Sequence, residues 1–229
     1  MYKCIVFGGS GNIGRTVVDN LLKNEKYIKI TIFSRKILER WKNKNKLNLM
    51  QIESLDFLSK DNFIEEFNKK IGNEKDYNTI FCCLGGRDDT EYEKIDYQLS
   101  IKISDICEKL SIAHLSIIST ENSDENSKDN FLKFRGKMEE EICNKNIKCI
   151  SIFKTNYVTY KEDPSFFYCI ISFFYRCKND SIECKNLGKA MVVNDLEILE
   201  HLRQKGDEES KKINRYTNND IKRLALKKI

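Results

Sequence analysis

Three glycines on a strict three-residue beat, Gly8, Gly11 and Gly14, follow directly on the apolar run of Tyr2, Ile5, Val6 and Phe7. Thr16 to Leu22 comes next and reads as the apolar-faced start of a helix. Strand, glycine turn and helix in that order are what a backbone needs to grip a phosphate group. The first glycine lets the chain reverse, the second removes a Cβ where a pyrophosphate approaches the backbone, and the third lets helix and strand pack closely. The helix N-terminus then offers N–H groups and a partial positive charge to the anion. Gly8, Ser10, Gly11, Asn12, Ile13 and Gly14 are therefore candidate dinucleotide-binding residues. The spacing is G-x-x-G-x-x-G, not the commoner G-x-G-x-x-G, and a glycine-rich loop without ligand is the competing explanation.

The end of the second strand bears on which dinucleotide. Ile28 to Phe33 is β-branched and apolar and runs into Ser34, Arg35 and Lys36. An acidic residue there would accept hydrogen bonds from a ribose 2′-OH and select NAD. None is present. Arg35 and Lys36 instead attract the 2′-phosphate of NADP, and the arginine fork suits that group. The alternative is a pair of solvated basic side chains in a lysine-rich chain. NADP(H) is the expected cofactor.

At 229 residues the chain fits one α/β domain, with 157–229 forming a smaller substrate- or partner-side elaboration. Its net charge of +5 is spread thinly, and no block of like charge is long enough to act as a nucleic-acid arm. Cys4, Cys82, Cys83, Cys107, Cys143 and Cys149 fall inside apolar patterns without a disulfide framework, as small core residues in a reducing compartment do. There is no C-x-x-C pair, only His114 and His201 could assist a metal, and Cys169, Cys177 and Cys184 are loosely spaced, so no metal site is expected. The chain starts directly with a strand, without a basic segment and apolar h-region, which predicts a cytosolic location with nuclear access left open. Phe166 to Tyr175 is the most apolar stretch but is far short of the roughly 20 residues that cross a bilayer. It reads as a core or pocket-lining helix, with a membrane-surface or homodimer contact as the alternative.

Strands and helices alternate along the rest. Leu47 to Ile52 reads as strand three; Asp56 beyond it either accepts from an adenine amino group, with Phe57 as an apolar wall, or marks a helix start. Asp61 to Ile71 is a helix, and Asn78 to Leu84 a central strand buried on both faces whose end, Leu84, Gly85 and Gly86, faces the cofactor. Tyr92 to Leu110 is a long helix, Ile112 to Ile118 a strand ending at Ser119 and Thr120, Phe131 to Asn144 a helix, and Lys148 to Phe153 a sixth strand. This is the pattern of a doubly wound parallel sheet, a Rossmann-type α/β fold, with a small C-terminal helical elaboration.

The stretches FGGSGNIGR, FSRK, FCCLGG and NFLKFRGKMEEEI, at Phe7–Arg15, Phe33–Lys36, Phe81–Gly86 and Asn130–Ile142, resemble the extended and atypical short-chain dehydrogenase/reductases, and within them the Tat-interacting oxidoreductase-like branch. RYTNNDIKRL at Arg215–Leu224 is similar to that family's C-terminal helix. The resemblance implies hydride chemistry by a strand-end serine and a Tyr-x-x-x-Lys helix: the tyrosine donates a proton, the lysine lowers its pKa and holds the ribose, and the serine positions a carbonyl. Ser119 matches the serine and Lys137 the lysine, but the tyrosine position, four residues before Lys137, is Lys133. The family's arginine-proline-glycine turn reads Lys154, Thr155, Asn156 here. Two functions follow. One is a cofactor-binding regulatory or scaffold protein that has lost the proton donor and has a protein partner. The other is an NADP-dependent reductase of a small carbonyl compound using Ser119, Lys137 and another acid. The missing tyrosine favours the first.

Overall fold

The computed structural model describes residues 1–42, 44–51, 55–72, 76–159, 181–205 and 210–228. Phe166 to Tyr175, Tyr160, Cys169 and Cys177 lie outside the described residues. At its centre is β1 (Tyr2–Phe7), whose side chains alternate between two cores: Ile5 and Phe7 enter one, Cys4 and Val6 the other. A strand covered on both faces reads in sequence as a nearly unbroken apolar run.

β2 (Tyr27–Ser34), β3 (Leu47–Gln51), β4 (Thr79–Cys82), β5 (His114–Thr120) and β6 (Cys149–Thr155) join β1 in a parallel sheet. β7 (Tyr157–Thr159) and β8 (Ser181–Glu183) form a separate parallel pair, and β9 (Lys212–Tyr216) adds a seventh strand to the main sheet beside β6. The order is β3-β2-β1-β4-β5-β6-β9. The chain thus winds outward from β1 to β3, returns to the other side of β1 and winds outward again. The strand order reverses between β1 and β4, where a doubly wound sheet opens a crevice at the carboxyl ends of its strands.

One core lies under α2 (Phe63–Ile71), α4 (Ser100–Lys109) and α5 (Asn130–Asn144), filled by residues such as Phe67, Ile103, Ile106 and Met138. Ahead of α4 the chain passes through the short α3 (Asp89–Glu91) and a π-helical stretch, Tyr92–Leu99. The other core lies under α1 (Asn12–Lys23), α6 (Cys184–Lys205) and α7 (Asn218–Leu226), with Val17, Leu21, Leu187, Met191 and Ile221. Trp41 closes a single 3₁₀ turn, Glu39–Trp41, and is buried in this second core. Thr217 and Asp220 form a reciprocal capping box at the start of α7.

The doubly wound α/β fold is as expected, and the differences are local: Tyr92–Leu110, read as one helix, is the π-helical stretch followed by α4, and the β7–β8 pair is additional. α1 starts at Asn12, four residues earlier than the apolar pattern begins, because its first turn packs against the glycine loop, Gly14 on Gly8, and only Ile13 of it reaches the core. β9 was not legible as a strand: at the edge of the sheet, Lys212–Tyr216 is only partly buried and carries no apolar run. Among the described residues the cysteines are unbridged, with Cys4, Cys82, Cys107, Cys149 and Cys184 buried, and no helix is long and apolar enough to cross a membrane.

Under the sheet, at the amino ends of its strands, α6 inserts the fully buried carboxylate of Asp195. Thr79 donates to it at 2.6 Å, His114 Nδ1 lies 2.5 Å away and the Tyr27 hydroxyl donates to its second oxygen. His114 Nε2 continues the chain to Ser151 Oγ at 2.9 Å. Burial, together with the neighbouring Asp195, raises the Tyr27 phenol well above its ordinary pKa. The Asp195→Ala change strands three buried donors, and a loss of about 3–5 kcal/mol is expected in equilibrium denaturant unfolding. A loss under about 1 kcal/mol would show that water replaces the carboxylate.

Candidate functional site

The loop between β1 and α1 is built by close approach. Gly8 has a φ of 76°, and a Cβ on it would lie 2.7 Å from the Cys83 carbonyl oxygen; a Cβ on Gly14 would lie 2.1 Å from the carbonyl oxygen of Gly8. Neither position admits a larger residue without backbone movement. The Gly11 N–H donates to the Gly8 carbonyl at 3.0 Å, closing the turn, and Gly11 then caps α1 with no side chain of its own. No acidic residue occupies the first turn of α1, so the positive end of the helix dipole faces the crevice uncompensated.

The carboxyl ends of the strands open into a cleft of about 650 Å³. Ser10, Gly11, Asn12 and Ile13 line it from the glycine loop, Arg35 from the end of β2, and Leu84, Gly85, Gly86 and Arg87 from the turn after β4. Ser119 and Thr120 of β5 line the far side, with Phe131 and Arg135 of α5 and Thr155, Asn156 and Tyr157 after β6. Among the described residues lining it are three arginines and no carboxylate. A volume in the usual ligand range, a helix N-terminus and an excess of guanidinium groups fit the phosphates of a dinucleotide.

Several residues singled out from the sequence sit elsewhere. Lys36 is exposed off the cleft, its backbone tied to the Ser34 hydroxyl. Asp56 opens a 3₁₀ turn, Asp56–Ser59, and pairs at the surface with Lys94 at 2.9 Å. Phe57 is buried in the core against Phe33, its centroid 6.2 Å away, with the Lys70 ammonium over its ring. Neither Asp56 nor Phe57 lines the cleft.

The larger displacement concerns α5. Lys133 and Lys137 are absent from the cleft lining, and their ammonium groups lie 6.0 and 5.9 Å from the ring centroid of Phe134. Met138 and Ile142 fix the phase of this helix by entering the core. Phe131, Arg135 and Glu139 then lie along one line toward the strand ends, while Lys133 and Lys137, two residues on, sit about 200° around the axis from the first two. The pair four residues apart that faces the cleft is Phe131 and Arg135. The spacing of Met138 and Ile142 carries this phase in the sequence.

Arg135 is buried, and its two terminal nitrogens are engaged. Its guanidinium donates to the carbonyl of Ile118 at the end of β5, reaches the Leu84 carbonyl at 3.5 Å and forms an ion pair with the fully buried Asp96 of the π-helical stretch. The other oxygen of Asp96 accepts the Gly86 N–H at 2.6 Å. One charge pair thus ties together β5, α5, the π-helical segment and the turn after β4. Ser119 is occupied as well: its hydroxyl donates to Glu139 at 2.5 Å, and Glu139 pairs with Lys154 at 3.0 Å. Asp96, Arg135 and Glu139 read as ordinary surface charges in sequence, and nothing short of the helix phase distinguishes them.

Removing one member of the buried pair isolates the other charge. Asp96→Ala is expected to cost about 3–5 kcal/mol in denaturant unfolding, whereas Asp96→Leu with Arg135→Met costs less than the single change. Equal losses for the two variants would mean that the pair is not coupled.

Comparison with known proteins agrees with this geometry. Protein HTATIP2 of Rattus norvegicus is 22% identical over 159 residues, which are 65% of this chain and 60% of that protein. The chain therefore spans 60% of that relative's length. Among solved structures, UDP-glucuronic acid 4-epimerase from Bacillus cereus in complex with NAD superposes with a TM-score of 0.61 at 14% identity, over 97% of this chain and 89% of that one. The Bordetella bronchiseptica enzyme WbmH in complex with NAD⁺ gives 0.65 at 10% identity, over 94% and 86%. At such identities these share the doubly wound α/β fold and nothing finer. The NAD(P)H-binding family matches residues 8–160, from the glycine turn to the strand beyond β6, and the chain belongs to that family.

Proposed function

We propose that this chain binds NADP(H) across the cleft and acts as a cofactor-binding regulatory or scaffold protein, not as a reductase of the tyrosine-lysine type. The observation that carries this is the pair that α5 turns toward the cleft, Phe131 and Arg135. Phenylalanine has no hydroxyl to donate, and the arginine charge is spent on Asp96 and two backbone carbonyls. A proton donor with its activating cation is what carbonyl reduction requires at that place. Arg35 supports NADP over NAD: its exposed guanidinium lines the cleft at the end of β2, where a 2′-phosphate meets a bidentate donor. Bound there, the dinucleotide supplies a hydride carrier. The chain's own part is to hold the phosphates at the N-terminus of α1 and the 2′-phosphate at Arg35.

A second function has one observation in its favour. Tyr157 brings a phenol to the same cleft as Ser119, from β7 and not from α5. An oxidoreductase acting on a small carbonyl compound would use that hydroxyl as its proton donor.

Calorimetric titration with NADPH and NADH, followed by NADPH oxidation against a panel of aldehydes and ketones, separates the two. Binding without turnover is the expected result. Turnover that disappears in Tyr157→Phe would establish the enzyme instead. Arg35→Ala is expected to weaken NADPH about ten-fold or more while changing NADH little, and equal losses would deny Arg35 the 2′-phosphate. Gly11→Asp places a carboxylate at the helix N-terminus and abolishes binding of both nucleotides; unchanged affinity in the folded variant removes the cofactor from the cleft.

A further inference from the structure

Ser119 is not a free hydroxyl. It lines the cleft, yet its Oγ lies 2.5 Å from Glu139 Oε1. Glu139 sits one turn beyond Arg135 on α5, is buried, and meets three donors: Ser119, Ser123 at 2.5 Å, and Lys154 Nζ at 3.0 Å on its other oxygen. Lys154 also donates to Ser123 Oγ at 2.9 Å, so the single hydrogen of Ser123 is left to point at Glu139. A carboxylate paired with an ammonium has lone pairs only, and the hydrogen of Ser119 has to point at it in the same way. What Ser119 presents to the cleft is therefore lone pairs.

This polarity is opposite to what a carbonyl ligand needs. A carbonyl oxygen set against Ser119 would face another acceptor, whereas an N–H or O–H would find a partner. The cleft runs from Arg35 past the N-terminus of α1 to Ser119. A dinucleotide with its 2′-phosphate at Arg35 and its pyrophosphate at the glycine loop extends its other half toward Ser119. We propose that Glu139 is a positioning residue that fixes Ser119 as a hydrogen-bond acceptor, and that the nicotinamide half is held there through a donor, either the carboxamide N–H₂ or a ribose hydroxyl. This rests on the cofactor-binding function proposed above.

Titrations of the full chain with three probes test it: NADP⁺; its 3-acetylpyridine analogue, in which a methyl ketone replaces the carboxamide; and adenosine 2′,5′-bisphosphate, which lacks the nicotinamide half. Adenosine 2′,5′-bisphosphate is expected to bind the wild type, Ser119→Ala and Glu139→Gln alike. If the carboxamide is the donor, the wild type prefers NADP⁺ to the analogue by about five- to ten-fold, and Ser119→Ala loses that preference. In Glu139→Gln, Lys154 retains the amide oxygen and the amide N–H₂ turns to Ser119, whose hydrogen is released to the cleft. The preference is then expected to vanish or invert, a change that loss of packing would not produce. If a ribose hydroxyl is the donor, Ser119→Ala weakens NADP⁺ and the analogue equally and leaves the bisphosphate unchanged. Ser119→Ala matching the wild type on all three probes overturns the proposal and leaves the cofactor function standing. A folded wild type that binds no adenosine 2′,5′-bisphosphate overturns both. Thermal melts of each variant identify one that has unfolded, and Ser119→Ala removes only one oxygen, so the test survives failure of Glu139→Gln to fold.

Discussion

Asp195 holds one whole layer of this molecule to the other. Without exposed surface, it enters from α6 beneath the sheet and receives donors from β2, β4 and β5, while His114 passes the chain on to β6. A buried carboxylate is costly unless its lone pairs are filled, and here the donors come from strands far apart in sequence. The geometry that fills them is a sheet with its strands in native register and α6 in native phase. The apolar contacts of α6 with α1 stabilise the layer; the polar ones make its position unique.

Two more buried charge clusters occupy the opposite end of the sheet. Arg135 and Asp96 join α5 to the turn after β4, and Glu139 and Lys154 join α5 to the end of β6. Between them they govern what the cleft can offer a ligand. Arg35 and Arg87 line the cleft, while the charge of the buried Arg135 is paired with Asp96. At this end of the sheet Arg135 and Glu139 are each held by a fixed partner, Asp96 and Lys154.

Most of the fold was legible because both faces of a parallel strand must be covered. Tyr2–Phe7, Ile28–Phe33 and Asn78–Leu84 announce themselves as apolar runs, and the helices between them by an apolar stripe. The glycine turn was legible for the same kind of reason: three positions had to lack a Cβ, and two of them meet backbone oxygens closely. An edge strand such as β9 has no such obligation. The far end of the cleft was less legible, since Lys133, Arg135, Lys137 and Glu139 look alike in a row and only the direction in which α5 faces separates them. That direction is set by Met138 and Ile142 burying themselves elsewhere. Asp56 and Phe57 had two readings in sequence; Asp56 opens a 3₁₀ turn and pairs with Lys94, and Phe57 packs against Phe33 away from the cleft lining.

Trp41 is the single tryptophan of the chain and is 1% exposed. Its indole N–H is buried and has no hydrogen-bond partner among the described residues, and the Arg40 guanidinium lies 5.9 Å from the ring. All indole fluorescence of the protein therefore comes from one buried side chain packed in the core under α1, a residue that does not line the cleft. A buried indole emits to the blue of a hydrated one, so opening of this core is expected to shift the emission to the red, independent of contact with whatever fills the cleft.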